Sequence, residues 1–206
     1  MRVLGLDPSM TNYGWCLIDD QASPIVVNRG KFQTDSKMLF IDRYVYLRES
    51  IYDLCINTED LTAVGIESPP FGELWSEGLY GLFLFAMEAL HKAKKNVYFW
   101  DPLTVKSRAK EILGREKGKM FKVDMIDAAK KASDVKGGWN SDTADAFNVA
   151  YLTYRFILYF NGTTPEEELT PKEKWIFLGV KKVKGKLKKR GMAYRENDRF
   201  FLFGEN

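Results

Sequence analysis

The sequence predicts an α/β domain whose central sheet mixes antiparallel and parallel strands. Three short apolar runs follow one another at residues 2–7, 13–18 and 25–32. Turn-forming residues separate them, as in an antiparallel meander. Two further buried-strand patterns, at residues 62–67 and 97–100, alternate with helical patterns, which is typical of parallel strands joined by helices. Right-handed crossovers place the fourth strand beside the first, so the predicted strand order is 3-2-1-4-5.

Helical periodicity fills the intervals between these strands and the segment that follows them. Apolar residues recur every three or four positions over residues 36–56, which is the spacing of an amphipathic helix. Residues 74–95 are apolar on nearly every face. This pattern predicts a core helix, and it also leaves room for contact with a partner. Three more helices are predicted at residues 102–113, 121–133 and 141–160.

A change in composition predicts a folded domain at residues 1–160 and an extension at residues 161–206. Thr164 and Thr170 each precede a proline and carry a glutamate three positions later. This arrangement predicts a helix start at each threonine. A lysine-rich tract and an aromatic end follow. We therefore expect one or two short helices and then a basic strand pair or loop.

Positive charge is concentrated in two tracts of the chain. Residues 92–136 carry 13 Lys or Arg against 6 Asp or Glu, and residues 181–199 carry 9 against 2. The formal net charge of the whole chain is only +3, so the remainder is acidic. Two basic tracts on an acidic body indicate binding to a polyanion such as a nucleic acid. A run of lysines is, however, also common on a merely solvated surface.

Composition disfavours several classes of function. The two cysteines, Cys16 and Cys55, lack the spacing of a metal site. The single histidine, His91, lies at a lysine-rich helix end, so nucleophilic catalysis with a histidine base has almost no candidate. No apolar run is long enough to span a membrane, and the N-terminus lacks the layout of a signal peptide. We therefore expect a cytoplasmic protein without membrane contact.

Four acidic residues stand at the ends of predicted elements that the fold brings together. Asp7 ends the first strand and Glu67 ends the fourth, and these two strands are predicted neighbours. Asp142 and Asp145 lie three positions apart, on one face at the start of the last core helix. Taken singly, each acid has a simpler explanation as a turn residue, a solvated side chain or a helix cap. Taken together, they predict a carboxylate cluster that is tolerable only with bound cations.

An all-oxygen cluster of this kind suits Mg²⁺ or Mn²⁺ rather than zinc. Two such ions about 3.5 to 4 Å apart can activate a water molecule and stabilise the leaving oxygen in phosphodiester hydrolysis. This chemistry needs no histidine, so it agrees with the composition. We expect two ions in each active site.

These motifs resemble the RuvC family of Holliday-junction resolvases, which have the ribonuclease-H-like fold. The segment VLGLDPSMTNYGWCLID looks like the family's first hairpin, VGIES like its glutamate strand, and NSDTADAFNVAYL like its closing helix. The resemblance covers about residues 1–160. It implies that Asp7, Glu67, Asp142 and Asp145 are catalytic residues and metal ligands.

The resemblance also implies a set of DNA contacts. Matching YFWDPLTVKSRAKEILG and GKMFKVDM to the family implies that Lys106 and Lys122 lie near the scissile phosphate. A lysine there can neutralise phosphate charge or assist the transition state, so Lys122 is also a candidate catalytic residue. Phe71 stands where the family has an aromatic wedge, in a loop that departs from the family by one extra residue and two prolines. The predicted DNA contacts are Lys106, Arg108, Lys117, Lys119, Lys122, Phe71, Lys184, Lys186, Lys188 and Lys189.

The tail after residue 160 looks more like that of longer phage or viral relatives than the compact bacterial pattern. The resemblance implies a homodimeric endonuclease that resolves four-way junctions by paired nicks. A twofold pair would present two equivalent active sites to the two equivalent strands of such a junction. We expect it to act in the cytoplasm of a bacterial or phage-infected cell, with DNA-processing or packaging machinery as a possible partner.

Three alternatives remain open from the sequence. A nuclease for flaps or other branched DNA would use the same chemistry. Residues 7–11 before a hairpin are loosely similar to the phosphate loop of actin-type and sugar-kinase-type ATPases, although that architecture usually needs two such halves. A non-catalytic junction-binding module is disfavoured because all four acids are present.

Overall fold

The computed structural model describes residues 1–23, 25–69 and 77–178, together with the backbone of four strands between residues 180 and 203. The strands are β1 (Arg2–Asp7), β2 (Asn12–Asp19), β3 (Val26–Gln33), β4 (Leu61–Glu67), β5 (Asn96–Trp100), β6 (Val180–Val183), β7 (Lys186–Lys189), β8 (Met192–Glu196) and β9 (Arg199–Phe203). The helices are α1 (Phe40–Asn57), α2 (Glu77–Lys92), α3 (Pro102–Ile112), α4 (Lys122–Ser133), α5 (Ser141–Phe160) and α6 (Pro171–Phe177).

The predicted mixed sheet is confirmed. Its first five strands have the order β3-β2-β1-β4-β5, in which β1 to β3 form the antiparallel meander. β4 runs parallel to β1, and β5 runs parallel to β4. The sheet then continues beyond the prediction, because β8 pairs antiparallel with β5 and β9 pairs with β8. β6 and β7 form a separate two-stranded sheet in the segment for which the sequence predicted a basic strand pair or loop.

Two apolar layers cover the opposite faces of the sheet. α1 and α2 cover one face, in a layer that contains Leu4, Leu6 and Ile66. α3, α4 and α5 cover the other face, in a layer that contains Val3 and Phe147. Because successive side chains of a strand point to opposite faces, the last residues of β1 and β4 face the side of α5.

The helices lie where helical periodicity predicted them, with shifts at their ends. α1 begins at Phe40 rather than near residue 36, after a turn in which the carboxylate of Asp35 accepts a hydrogen bond from the backbone N–H of Lys37. α2 ends at Lys92, and the predicted start of this helix at residue 74 lies outside the described residues. None of the described helices is long and apolar enough to cross a membrane.

Apolar packing continues past the predicted boundary at residue 160. Leu169, Ile176 and Phe177 are buried in the same layer as the core residues of α5. Thr170 caps α6 as predicted, since its side chain accepts a hydrogen bond from the backbone N–H of Glu173 at 3.1 Å. The capping role predicted for Thr164 is wrong. A short 3₁₀ helix, Glu166–Glu168, does form beside this residue, but its N-cap residue is Pro165 and no side chain caps it.

Candidate active site

Asp7 and Glu67 lie side by side at the ends of two neighbouring strands. The parallel register of β1 and β4 aligns Leu6 with Ile66, and each of these residues directly precedes one of the acids. Both acids face the side of the sheet that α5 covers. The carboxyl ends of β1 and β4 therefore form the part of the sheet at which the carboxylate cluster is predicted.

Three strand glycines allow α5 to lie unusually close to the sheet. A β-carbon on Gly14 would lie 2.2 Å from the carbonyl oxygen of Asp142, and one on Gly5 would lie 2.0 Å from the carbonyl oxygen of Ala146. A β-carbon on Gly65 would lie 2.1 Å from the hydroxyl of Thr153.

Each of these distances is far shorter than a van der Waals contact, so a larger residue at any of the three positions would push α5 away from the sheet. The close approach brings the start of α5 over the ends of β1 and β4. The sequence prediction missed these glycines, although a glycine inside a strand often marks a close backbone approach.

The start of α5 is capped in a way that leaves Asp142 available. Asn140 is the N-cap residue, and its side-chain oxygen accepts a hydrogen bond from the backbone N–H of Thr143 at 2.9 Å. The Thr143 hydroxyl accepts a hydrogen bond from the backbone N–H of Asn140 at 3.2 Å. Asp142 therefore does not cap the helix. Its carboxylate accepts a hydrogen bond from the Ser141 hydroxyl at 3.2 Å.

Arg29 on β3 holds the loop that leads into α5. Its guanidinium donates to the carbonyl oxygen of Gly137 at 2.7 Å and lies over the ring of Trp139 at 4.1 Å from the centroid. The indole N–H of Trp139 in turn donates to the carbonyl oxygen of Val135 at 2.8 Å. This positioning residue was not predicted, because its partners are about 110 residues away in the sequence.

Burial and mutual repulsion raise the pKa of three of the acids. For Asp7, burial raises the pKa well above its usual value, and the charges of Glu67, Asp145 and Asp142 raise it further. For Glu67, burial and then the charge of Asp145 raise the pKa to about 7. For Asp145, burial raises the pKa to about 6. These couplings show that the predicted acids lie within electrostatic reach of one another.

Two exposed lysines face the same cluster. The charge of Lys106 on α3 lowers the pKa of Asp7, Glu67 and Asp145. The charge of Lys122 at the start of α4 lowers the pKa of Asp145. Both side chains are exposed, so they lie at the rim of the cluster, where a bound anion would meet them.

The donor set of the cluster fits a hard divalent cation. Carboxylate oxygens are the ligands that Mg²⁺ and Mn²⁺ prefer. Asp145 Oδ1 is buried and accepts no hydrogen bond from any described residue, and such an atom is costly unless a cation or donor reaches it. Within the described part of the chain, no group of three or more His, Cys, Asp or Glu side chains is already arranged to hold an ion. The acids would therefore have to draw closer together around a bound metal.

The structure corrects the assignment of Arg108 to DNA binding. The residue is only 8% exposed, and its guanidinium donates to Glu111 at 3.0 Å and to Glu173 at 3.1 Å. Arg155 also donates to the Glu173 carboxylate, at 2.8 Å. Arg108 is therefore part of a buried ion-pair network that joins α3 to α6, and its charge is already neutralised.

The remaining predicted DNA contacts lie in different parts of the chain. Lys117 and Lys119 are exposed in the loop between α3 and α4. Phe71 and Lys184 lie outside the described residues. For Lys186, Lys188 and Lys189 on β7 the structure describes only the backbone.

Comparison with solved structures finds resolvases of the predicted kind. T. thermophilus RuvC in complex with a Holliday junction substrate is 19% identical with a TM-score of 0.63, over 78% of this chain and 96% of that chain. A second Thermus thermophilus RuvC structure is 17% identical with a TM-score of 0.59, over 73% of this chain and 90% of that chain.

A third similar structure is that of the fowlpox virus Holliday junction resolvase, 12% identical with a TM-score of 0.41, over 77% of this chain and 99% of that chain. No family model and no curated protein sequence matches the chain. The two Thermus structures confirm the predicted ribonuclease-H-like architecture, and this chain has the fold of RuvC.

Proposed function

We propose that this protein is a metal-dependent endonuclease that cuts branched DNA, with the four-way junction as its substrate. The observation that supports the proposal is the electrostatic coupling of Asp7 to Glu67, Asp142 and Asp145, where the start of α5 crosses the ends of β1 and β4, with the charge of Lys106 acting on the same carboxylate. Four acids are brought within electrostatic reach of one another at one buried edge of the sheet. Such an arrangement has a high electrostatic cost unless cations neutralise it.

The residues divide naturally between metal binding and phosphate binding. The four acids would hold one or two Mg²⁺ or Mn²⁺ ions, which supply an activated water and charge stabilisation for phosphodiester hydrolysis. Lys106 and Lys122 would bind the phosphate and offset its negative charge. Asn140 and Arg29 keep the start of α5 in place, because one caps the helix and the other clamps the preceding loop.

Branched DNA is supported by the fold and by the distribution of charge. One structure with this fold is described as a complex with a Holliday junction substrate. In this chain the exposed lysines Lys117 and Lys119 lie in the loop just before Lys122, and residues 181–199 add nine basic residues. These groups would neutralise phosphates of the junction arms.

A second copy of the chain is the partner that this substrate favours. A four-way junction has two equivalent strands to cut, and a twofold dimer offers two equivalent sites. α1 and α2 lie on the face of the sheet opposite the acids. Large apolar side chains are exposed there, including Phe40 and Ile41 of α1, Leu39 just before it, and Leu84 of α2. We propose that this surface forms the dimer, and that the protein acts in the cytoplasm of a bacterial or phage-infected cell.

The direct test is a set of synthetic DNA substrates labelled on each strand in turn. A mobile four-way junction, a flap, a fork and a linear duplex are incubated with Mg²⁺ or with EDTA, and the products are mapped on all strands. We expect paired nicks at symmetry-related positions of the junction, only with Mg²⁺, and little cutting of the duplex. Equal cutting of flaps and junctions would indicate a broader branched-DNA nuclease. A lack of metal-dependent nicks in every branched substrate would refute the proposal.

A further inference from the structure

Three large apolar side chains stand exposed beside the carboxylate cluster. Leu103 is 78% exposed in the first turn of α3, three positions before Lys106 and therefore on the same helical face. Phe121 and Val123 are each 60% exposed and flank Lys122 at the start of α4. Among the described residues, Lys106 and Lys122 are the lysines whose charges lower the pKa values of the acids. Leu103, Phe121 and Val123 therefore border the site, and because they are exposed they contribute little to the core.

The backbone beneath the Phe121 ring is held in place. Its N–H donates to Asp124 Oδ2 at 2.8 Å, and the other oxygen of this carboxylate accepts a hydrogen bond from Arg115. Asp124 is itself only 5% exposed. A ring carried by a fixed backbone loses little conformational freedom when a ligand packs on it. Phe121 is therefore suited to binding even though it contributes little to the core.

The charge around the ring indicates which kind of ligand would pack on it. Lys119 Nζ lies 5.8 Å from the ring centroid of Phe121, and Lys117 and Lys122 are exposed nearby in the sequence. Glu116 is the one exposed acid of the short segment from residue 116 to residue 122. An exposed aromatic ring among lysines is typical of sites for unpaired nucleic-acid strands, in which bases stack on the ring and phosphates contact the cations.

We propose that Phe121, bordered by Leu103 and Val123, is a stacking platform for an unpaired nucleobase of the strand that is bound at the carboxylate cluster. The inference rests on the proposed nuclease function and adds a source of substrate specificity to it. A strand whose phosphate contacts Lys122 has its bases close to the adjoining ring. Bases at a branch point leave the stack at lower cost than bases inside a duplex, so the platform favours branched over linear DNA.

Substitutions of Phe121 test the platform by binding, with EDTA present so that no strand is cut. We expect Phe121→Ala and Phe121→Leu to weaken junction binding about tenfold, which is within the range for loss of one base–aromatic stack. Phe121→Trp should restore it, and linear duplex binding should change less than about twofold. Phe160→Ala is the matched control, since Phe160 is 44% exposed at the far end of α5. It should bind as the wild type does.

Abasic substitution identifies the base itself. Each nucleotide of one strand around the branch point is replaced in turn by an abasic site, and binding is measured with wild type and with Phe121→Ala. We expect one position, or two adjacent ones, at which the abasic site weakens wild-type binding about tenfold and adds no further loss in the variant. Phe121→Leu, which keeps apolar bulk, serves if the alanine variant does not fold.

Three results would overturn the platform. Phe121→Ala could leave junction affinity unchanged, or it could weaken duplex binding as much as junction binding. The loss of affinity in Phe121→Ala could also add to the loss caused by the abasic site at every position. The proposed nuclease function is judged separately, from Mg²⁺-dependent nicking by the wild type. Nicking with no role for Phe121 would refute the platform alone. The expected abasic pattern without any nicking would refute the nuclease alone.

Discussion

The carbonyl oxygen of Asp142 lies against Gly14, so closely that a β-carbon on this glycine would come within 2.2 Å of it. Gly14 is the residue that pairs with Asp7 across β1 and β2. One contact thus ties the backbone of one proposed metal ligand to the strand partner of another. The depth at which α5 lies on the sheet therefore sets the distance between the acids.

Gly14→Ala should damage the site more than the fold. The added methyl group must push the start of α5 away from the sheet, and a displacement of about 1 Å in an active site can lower the rate about 100-fold. Overpacking of this kind costs about 1 to 3 kcal/mol of stability. We expect a folded variant whose Mg²⁺-dependent nicking falls by about two orders of magnitude.

The matched control for Gly14 is Gly137→Ala, because a β-carbon on Gly137 would meet no atom within 4 Å. Nicking rates and thermal melting curves are compared for the two variants. If Gly14→Ala nicks junctions as fast as Gly137→Ala, the close approach of α5 is not needed for activity.

Glu173→Gln should destabilise the protein without touching the site. The Glu173 side chain is fully buried between Arg108 and Arg155. Its neutralisation leaves Arg155 without this counter-charge and leaves Arg108 with Glu111 as its remaining acidic partner. We expect a loss of about 3 kcal/mol in the free energy of unfolding, as for other broken buried ion pairs. Urea unfolding measures it, with the exposed Glu168→Gln as control. Equal stability of both variants would contradict the structural role of the network.

Stability without metal should fall as pH rises, because Glu67 and Asp145 hold protons more firmly in the folded state. Their pKa values are raised from 4.5 to about 7 and from 3.8 to about 6, chiefly by burial. Between the unfolded and folded pKa values the folded state binds more protons, so each step up in pH through this window costs stability.

Bound Mg²⁺ should offset that cost, since metal ligands must be deprotonated. We therefore expect Mg²⁺ to raise the melting temperature more at pH 7.5 than at pH 5, both measured by calorimetry. Asp145→Asn should lessen the difference. An increase in melting temperature on addition of Mg²⁺ that is the same at both pH values, or greater at pH 5, would be inconsistent with metal binding by these acids.

Removal of the basic tail should weaken binding to all forms of DNA. The cut belongs after Leu178 rather than after Phe160, because Leu169, Ile176 and Phe177 are buried in the core. Each phosphate contact that is lost should flatten the dependence of log affinity on log salt by about 0.9 for duplex DNA. Affinity is measured by fluorescence anisotropy over a salt series, after circular dichroism has shown that the shortened protein folds. An unchanged affinity and slope would mean that the tail does not contact DNA.

The strand order and the two strand-end acids could be predicted because both depend on local patterns. Apolar runs of four to eight residues mark strands, and crossover handedness fixes their neighbours. The parallel register of β1 and β4 then places Asp7 and Glu67 at adjacent strand ends. The i, i+3 spacing of Asp142 and Asp145 places both on one face of α5 in the same way.

The rest depends on contacts between distant parts of the chain, which local patterns do not reveal. Arg108 was misassigned to DNA because one of its two acidic partners, Glu173, lies 65 residues away on a helix that the sequence placed in a separate extension. From the sequence alone, Gly5, Gly14 and Gly65 are simply residues that weaken a strand. Their importance appears only when α5 is laid across them.

Separating binding from cleavage tests the central claim, that Asp7, Glu67, Asp142 and Asp145 act together as one metal site. Asp7→Asn, Glu67→Gln and Asp145→Asn are compared with Asp134→Asn, a control at an exposed helix end. Each of the three should lose more than about 100-fold in Mg²⁺-dependent nicking, since changes merely behind metal ligands already cost 10- to 100-fold. Junction affinity in EDTA should stay within about twofold, because the basic surface is intact. Wild-type nicking by any two of the three variants would contradict the claim.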